Sequence, residues 1–436
     1  MNKKIFIVSL ILMFIFMFSL VEVEAFSLFD LFRRTETITL WDIRTPEDPA
    51  RAAVEDAIAR FEEDHDNIEI EHVPIQNDDY KTRLSVAAAA DDEPDIFMTW
   101  GGGGLKNYVD EGMVYDITAY LEEDNWRDNF LDAAMNNSTF EGKTYGVPVT
   151  NVAPAVIWYR EDMFAEYDLT PPETYEELLE IIEVFKENDI VPFTLANQNR
   201  WPGSMYYMYF VDRLAGPEVY RAAVSPDMAG SFTDEPFIEA GQMIRDLVEM
   251  DAFPAGLNAM NEDDGDSRTM LYTKDAGMYL MGSWAYSTIG MEDEITQEQL
   301  NFFPFPSIEG ADGTTSGIVG TVGDNFYSVA EKCENKEMAV EFLRYLTDEK
   351  AKQELLAVGN IPPISGVADD LDDPMLQSIF RVVEEAESSQ LWYDQDLPPE
   401  IAQVHLNQLQ GLFGGDVTPE EKAQAMADAI EDYYAD

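Results

Sequence analysis

The chain has 436 residues, 46% hydrophobic and 12% aromatic, which suits two domains that each bury a core. Its 86 acidic residues against 27 basic ones give a formal charge of −59 at pH 7. That balance excludes nucleic-acid binding, which needs a basic footprint, and disfavours an anionic membrane surface, while the aromatic content excludes a disordered acidic chain. Such self-repulsion destabilises a compact state at ordinary ionic strength. At molar salt the Debye length falls to about 3 Å and most of the penalty vanishes, so a halophilic, high-salt habitat is expected.

Lys3 and Lys4 precede an apolar run from Ile5 to Val21, and Val23 and Ala25 stand at −3 and −1 of a cleavage site. This pattern predicts a signal peptide over residues 1–25. No cysteine follows for lipid attachment. The run is slightly short for a spanning helix, and an uncleaved membrane anchor is the alternative. Residues 26–36 read as a tether. Thr37–Ile43 alternates as a first strand, and Pro49–Asp64 carries apolar residues at helical spacing. A strand over Ile68–Val73, a helix over Asp79–Ala90 and a short strand over Asp95–Thr99 follow. Alternating strands and helices imply an α/β protein with mainly parallel sheets.

The strand Val156–Tyr159 runs into a short helix with Met163 and Phe164. Pro171 and Pro172 then break the chain, and Thr174 with Glu177 forms a capping box for a helix over Tyr175–Asn188. Further helices are expected at Tyr206–Ala215, Pro236–Met250, Lys336–Thr347, Asp348–Val358, Pro399–Phe413 and Pro419–Tyr433, with a strand at Ala276–Leu280. The acidic stretch Asn261–Asp266 reads as a solvated loop, and it lacks EF-hand spacing. The one cysteine, Cys333, excludes an internal disulfide. His65, His72 and His405 are scattered, so no metal site is expected, and no cofactor motif appears.

Several tryptophans stand at strand ends or in polar loops. Trp100 ends the third strand and precedes Gly101–Gly104, whose bare backbone could approach a ligand closely. No Lys-Ser/Thr follows, so this is not a phosphate loop. Trp201 follows Asn197-Gln198-Asn199-Arg200, Trp284 follows Gly282-Ser283 with Tyr286 nearby, and Trp392 opens Trp392-Tyr393-Asp394-Gln395-Asp396. Flat aromatic faces beside planar polar groups suit pyranose rings: the C–H faces stack and the hydroxyls take hydrogen bonds. Core packing against Tyr286 is an equal reading for Trp284. Trp158, inside an apolar strand, reads as core. Asn77, Asp78 and Asp79 precede a helix, where capping rivals ligand contact.

Read as a whole, the segment YGVPVTNVAPAVIWYREDMFAEYDLTPPETYEELLE resembles the crossover segment of the extracellular solute-binding proteins of ABC sugar importers. Arg160 and Glu161 stand where that family usually has Asn-Lys. PDIFMTWGGGGLKNYVDEGMVYDIT, KDAGMYLMGSWAYS, FPFPSIEG, KEMAVEFLRYLTDEKAKQELLAVGNIPP and the Pro-Glu-Glu-Lys-Ala tail helix are similar to further blocks of the family, in its order. Together they span essentially the whole mature chain. The resemblance implies a two-lobe periplasmic-binding-protein-like α/β fold with a hinge and an interlobe ligand cleft. The lobes are expected at 37–150 plus 320–365 and at 151–319 plus 366–436.

The resemblance is nearest to raffinose- and isomaltooligosaccharide-type members. It implies a basic residue followed by a stacking tryptophan at Arg200-Trp201. It also implies an aspartate for a sugar hydroxyl pair at Asp394, and cleft-facing positions at Asn151 and Asp324. The candidate ligand-binding residues are therefore Trp201, Trp284, Trp100, Gly101, Asn151, Asp324, Asp394, Trp392, Arg200, Tyr286 and Asp78. The expected partners are an oligosaccharide and the transmembrane subunits of an ABC permease, with the protein a monomer outside the cytoplasm. The alternatives are a glycoside hydrolase and a binding protein for a non-sugar solute. No nucleophile elbow or Cys/His pair supports an enzyme.

Overall fold

A computed structural model describes residues 35–435. The leader expected over residues 1–25, and all of the expected tether but Thr35 and Glu36, lie outside the described residues. In chain order the strands are β1 (Glu36–Asp42), β2 (Ile68–Pro74), β3 (Ile96–Thr99), β4 (Thr139–Phe140), β5 (Lys143–Thr144), β6 (Val147–Thr150) and β7 (Ala153–Arg160). They continue with β8 (Val191–Phe193), β9 (Ala276–Gly282), β10 (Leu300–Phe303), β11 (Ile318–Thr321), β12 (Asp324–Val329) and β13 (Ser389–Gln390).

Two sheets organise the molecule. One has the order β2-β1-β3-β12-β6, and the other the order β13-β11-β7-β9-β8 with β10 also paired to β7. The first is parallel across β2, β1 and β3, but β12 runs antiparallel to both β3 and β6. In the second, β7 runs antiparallel to β9, β10 and β11. The sheets are thus mixed, not mainly parallel, and the chain path supplies the reason. The chain leaves the first sheet at Thr150 and enters the second at Ala153; it returns between Thr321 and Asp324. A strand arriving from the other sheet starts at the edge where its neighbours end, so β7 and β12 must oppose them.

Each sheet carries its own core. Leu40, Phe61, Phe97, Tyr327 and Phe342 belong to the first. Trp158, Ile182, Phe210, Leu280 and Leu409 belong to the second. The helix Tyr175–Glu187 shows how sequence produces this packing. Thr174 and Glu177 close the capping box, and Leu178, Ile181, Ile182 and Phe185 recur at helical spacing and are buried. The last two helices, Pro399–Gly414 and Pro419–Ala435, pack on the second core through Leu409, Phe413 and Met426. Cys333 is buried against the first. Among the described residues, no helix is long and apolar enough to cross a membrane.

Candidate ligand-binding cleft

The carboxyl ends of β1, β3, β6, β8 and β9 and the amino end of β12 converge on a cavity of about 460 Å³ between the two sheets. Ligands of open α/β folds characteristically bind at such strand ends. The first sheet presents Arg44 after β1, Trp100 after β3, Asn151 after β6 and Asp324 at the start of β12. The second body presents Trp201, Trp284, Trp392 and Asp394.

Three of these tryptophans form a continuous wall. Trp201 and Trp284 have ring centroids 6.3 Å apart, and Trp284 and Trp392 5.9 Å, at interplanar angles of 56° and 68°. Trp284 therefore packs between two cavity tryptophans and not on Tyr286. Trp201 is the first residue of a helix running to Ala215, five residues earlier than the expected start at Tyr206. Arg200, at φ +70°, turns the chain into it, and Pro202 fits the first turn because its missing N–H has no helical partner there. The Trp201 indole nitrogen and Gln395 Oε1 are buried without a hydrogen-bond partner among the described residues. Buried polar groups are normally satisfied, and Arg44 Nε and Glu262 Oε2 on the same lining also lack partners.

On the facing wall the Lys81 ammonium lies 4.8 Å from the Trp100 ring centroid, a cation–π contact. Tyr80 supports the same indole edge-on at 6.0 Å. Arg44 donates to Asp48 at 2.7 Å, to Thr150 Oγ1 at 3.0 Å and to Asn325 Oδ1. Burial opposes its charge, but Asp48, Tyr327 and Asp42 outweigh that and hold the guanidinium protonated. Asp324 is 5% exposed. Burial pushes its carboxyl up to about 6, against the Asn325 N–H and the charges of Arg44 and Lys81. Burial also raises Asp394, with Lys81 opposing.

Seven of the eleven sequence candidates line this cavity: Trp100, Asn151, Trp201, Trp284, Asp324, Trp392 and Asp394. Four do not. Gly101 faces protein: an added Cβ would lie 2.8 Å from the Phe326 ring and 2.9 Å from the Asn137 carbonyl. Arg200 turns outward to donate to Asn407 at 2.6 Å and Gln403 at 3.2 Å. Tyr286 stacks on Trp158, at 9° between planes, and donates to Asp373 at 2.8 Å. Asp78 is in the first turn of the helix Asn77–Ala89. It bridges the two walls, accepting from Asn199 Nδ2 at 2.7 Å while its N–H donates to Asp263 at 3.2 Å.

The sequence reading missed Arg44, Lys81, Asn325 and the acidic stretch 261–266. Glu262, expected in a solvated loop, is 4% exposed. It accepts from Tyr279 OH at 2.5 Å and from Arg268 at 3.0 Å, and Arg268 also forks onto Glu292 at 2.8 and 2.9 Å. Asp263 and Asp264 line the cavity. The one local signal was Arg268, a lone base directly after an acidic run.

Residues 45–353 match the family model of the bacterial extracellular solute-binding proteins. An uncharacterized ABC transporter extracellular-binding protein of Pyrococcus horikoshii is 23% identical, over 76% of this chain and 73% of that protein. The multiple sugar-binding protein of Streptococcus mutans is 24% identical, over 74% of this chain and 75% of its own. A structure solved in work on xylan utilization by the thermophilic bacterium Caldanaerobius polysaccharolyticus superposes with a TM-score of 0.84. It is 29% identical and covers 91% of this chain and 100% of its own.

Proposed function

Since the chain belongs to the bacterial extracellular solute-binding protein family, we propose that it is the extracytoplasmic receptor of an ABC importer. It takes an oligosaccharide into the cleft between the two sheets and delivers it to the transmembrane permease. The observation that carries this reading is the wall of Trp201, Trp284 and Trp392 facing Trp100 across a cavity whose lining includes the unpartnered Trp201 indole nitrogen and Gln395 Oε1. Aromatic faces hold the C–H surface of pyranose rings, and the indole N–H, Gln395, Asn151 and Asp394 are placed to meet hydroxyls. The sugar-binding relative and the xylan-related structure support the same ligand class.

Residues 1–25 act as the export leader, and the mature receptor is a monomer that binds without turnover. The two bodies that close on the ligand are residues 36–150 with 324–365 and residues 151–323 with 366–435. The second crossing is set at 324 instead of 320 because β11 pairs in the second sheet, while backbone bonds from Leu131 to Pro363 and from Ser365 to Asn129 favour keeping residues 363–365 with the first body.

Calorimetric titration with raffinose, maltotriose, xylotriose and chitotriose tests the reading. At least one is expected to bind unchanged, and release of shorter sugars would turn the assignment to a glycoside hydrolase. Trp201→Ala is expected to weaken that affinity tenfold to a hundredfold, about 1.5–3 kcal/mol, with the far-ultraviolet circular dichroism preserved. Unchanged affinity would remove Trp201 from the site.

A further inference from the structure

The cavity is lined by eight acidic side chains and three basic ones, a formal excess of five negative charges. Two of the three cations are already engaged. Arg44 is held by Asp48 and two neutral oxygens. Arg268 is held between Glu262 and Glu292. Lys81 alone is uncommitted: its nearest carboxylate is Asp78 at 4.0 Å, and it leans on the Trp100 face. Around it stand Asp324, Asp394 and Asp263, all of which feel its charge. None of those three carboxylates has a basic partner in an ion pair among the described residues. Asp324 accepts from the Asn325 N–H at 2.8 Å, and Asp263 from the Asp78 N–H.

Resting on the saccharide-receptor reading, we propose that the cleft selects its ligand by charge. It admits neutral saccharides and excludes those that carry a carboxylate, and Asp263, Asp324 and Asp394 are the specificity-determining groups. A uronic-acid unit would leave water for walls that already hold excess negative charge, and neither guanidinium can fork onto its carboxylate: Arg44 has only Nε unpartnered, and all three nitrogens of Arg268 are engaged. One ammonium shared among three carboxylates cannot serve a fourth. A neutral ring meets the same oxygens as hydrogen-bond acceptors for its hydroxyls, so one set of groups both binds and rejects. The effect is local. In 2 M KCl the Debye length is about 3 Å or less, which screens the exposed charges of the rest of the molecule but not groups inside the cleft.

The test titrates the full chain in 0.2 and 2 M KCl at pH 8 with maltotriose, raffinose and xylotriose. Each is paired with a derivative bearing one uronic-acid group. For whichever neutral sugar binds, the acidic partner is expected to bind at least tenfold more weakly, in 2 M KCl as well. Asp394→Asn and Asp263→Asn should each narrow that ratio at least threefold, whatever they do to the neutral affinity. A wild-type ratio below threefold in 2 M KCl overturns charge selection and leaves the receptor reading standing, as does a ratio that neither variant changes. Failure of every sugar, neutral and acidic, overturns the receptor reading and this inference with it.

Discussion

Lys422 is fully buried, its ammonium nitrogen has no hydrogen-bond partner, and it lies 3.6 Å from the centroid of the Tyr207 ring. Burial pushes its pKa well below the ordinary lysine value. The unfolded chain then binds a proton that the folded chain does not, so this residue makes stability rise with pH up to the unfolded lysine value near 10.4. Lys422→Met, of similar length, is expected to add about 1–3 kcal/mol at pH 7 and to flatten that rise, read by urea unfolding at pH 7 and 9.5. A less stable variant with the wild-type slope would show that the ammonium is held by something else. Legibility at this scale followed the chemistry of each side chain. Trp201, Trp284 and Trp392 stood out because a large apolar ring in a polar loop is anomalous wherever it occurs. Arg44 and Glu262 did not, because their charged partners, Asp48 and Arg268, stand at short spacings that exposed pairs share, and the burial that sets them apart is not written in the spacing.

The glycine run 101–104 shows how an element can be visible and its role misread. The sequence suggested a backbone cradle for a ligand. Instead, the helix Gly102–Asp110 packs against the turn Tyr393–Asp396 of the other body. An added Cβ on Gly103 would lie 2.5 Å from the Asp396 carbonyl and 2.8 Å from that of Leu397, and one on Gly102 2.8 Å from that of Gln395. The run is a seam along which two backbones touch, reinforced by the bridge from Asp78 to Asn199 and Asp263. Gly103→Val should hold the seam apart, weakening saccharide affinity at least tenfold and leaving the sugar-bound form measurably larger in X-ray scattering. Gly104→Ala is the matched control, since its Cβ would meet nothing within 4 Å. Equal affinities for the two variants would show that closure does not use this seam. Helix positions were legible within a few residues where caps and periodicity coincide, as at Thr174. The start at Trp201 was obscured because its N-cap residue, Arg200, makes no side-chain cap, and the side chain that accepts from the Gly203 N–H in the first turn is that of Asn197, displaced from the N-cap position.

For the whole molecule, the formal charge of −59 sets the conditions under which it is stable. Unfolding temperature is expected to rise by roughly 10 °C or more between 0.2 and 2 M KCl, as screening relieves self-repulsion. A flat or falling profile would remove the high-salt expectation. The two-body order was readable because recognisable blocks follow one another along the chain. The mixed strand directions were not, since they depend on which strands enter a sheet from the other body. One of those entering strands has a consequence for how the protein is made. β12 lies between β3 and β6, yet it is encoded after every residue from Thr150 to Gly323. At 5–20 residues per second a ribosome needs on the order of 10–35 s to cover that interval. For that time the earliest strands to emerge have two unpaired edges facing a gap that only the late segment fills. The sheet begun first therefore stays open until most of the second body has been made.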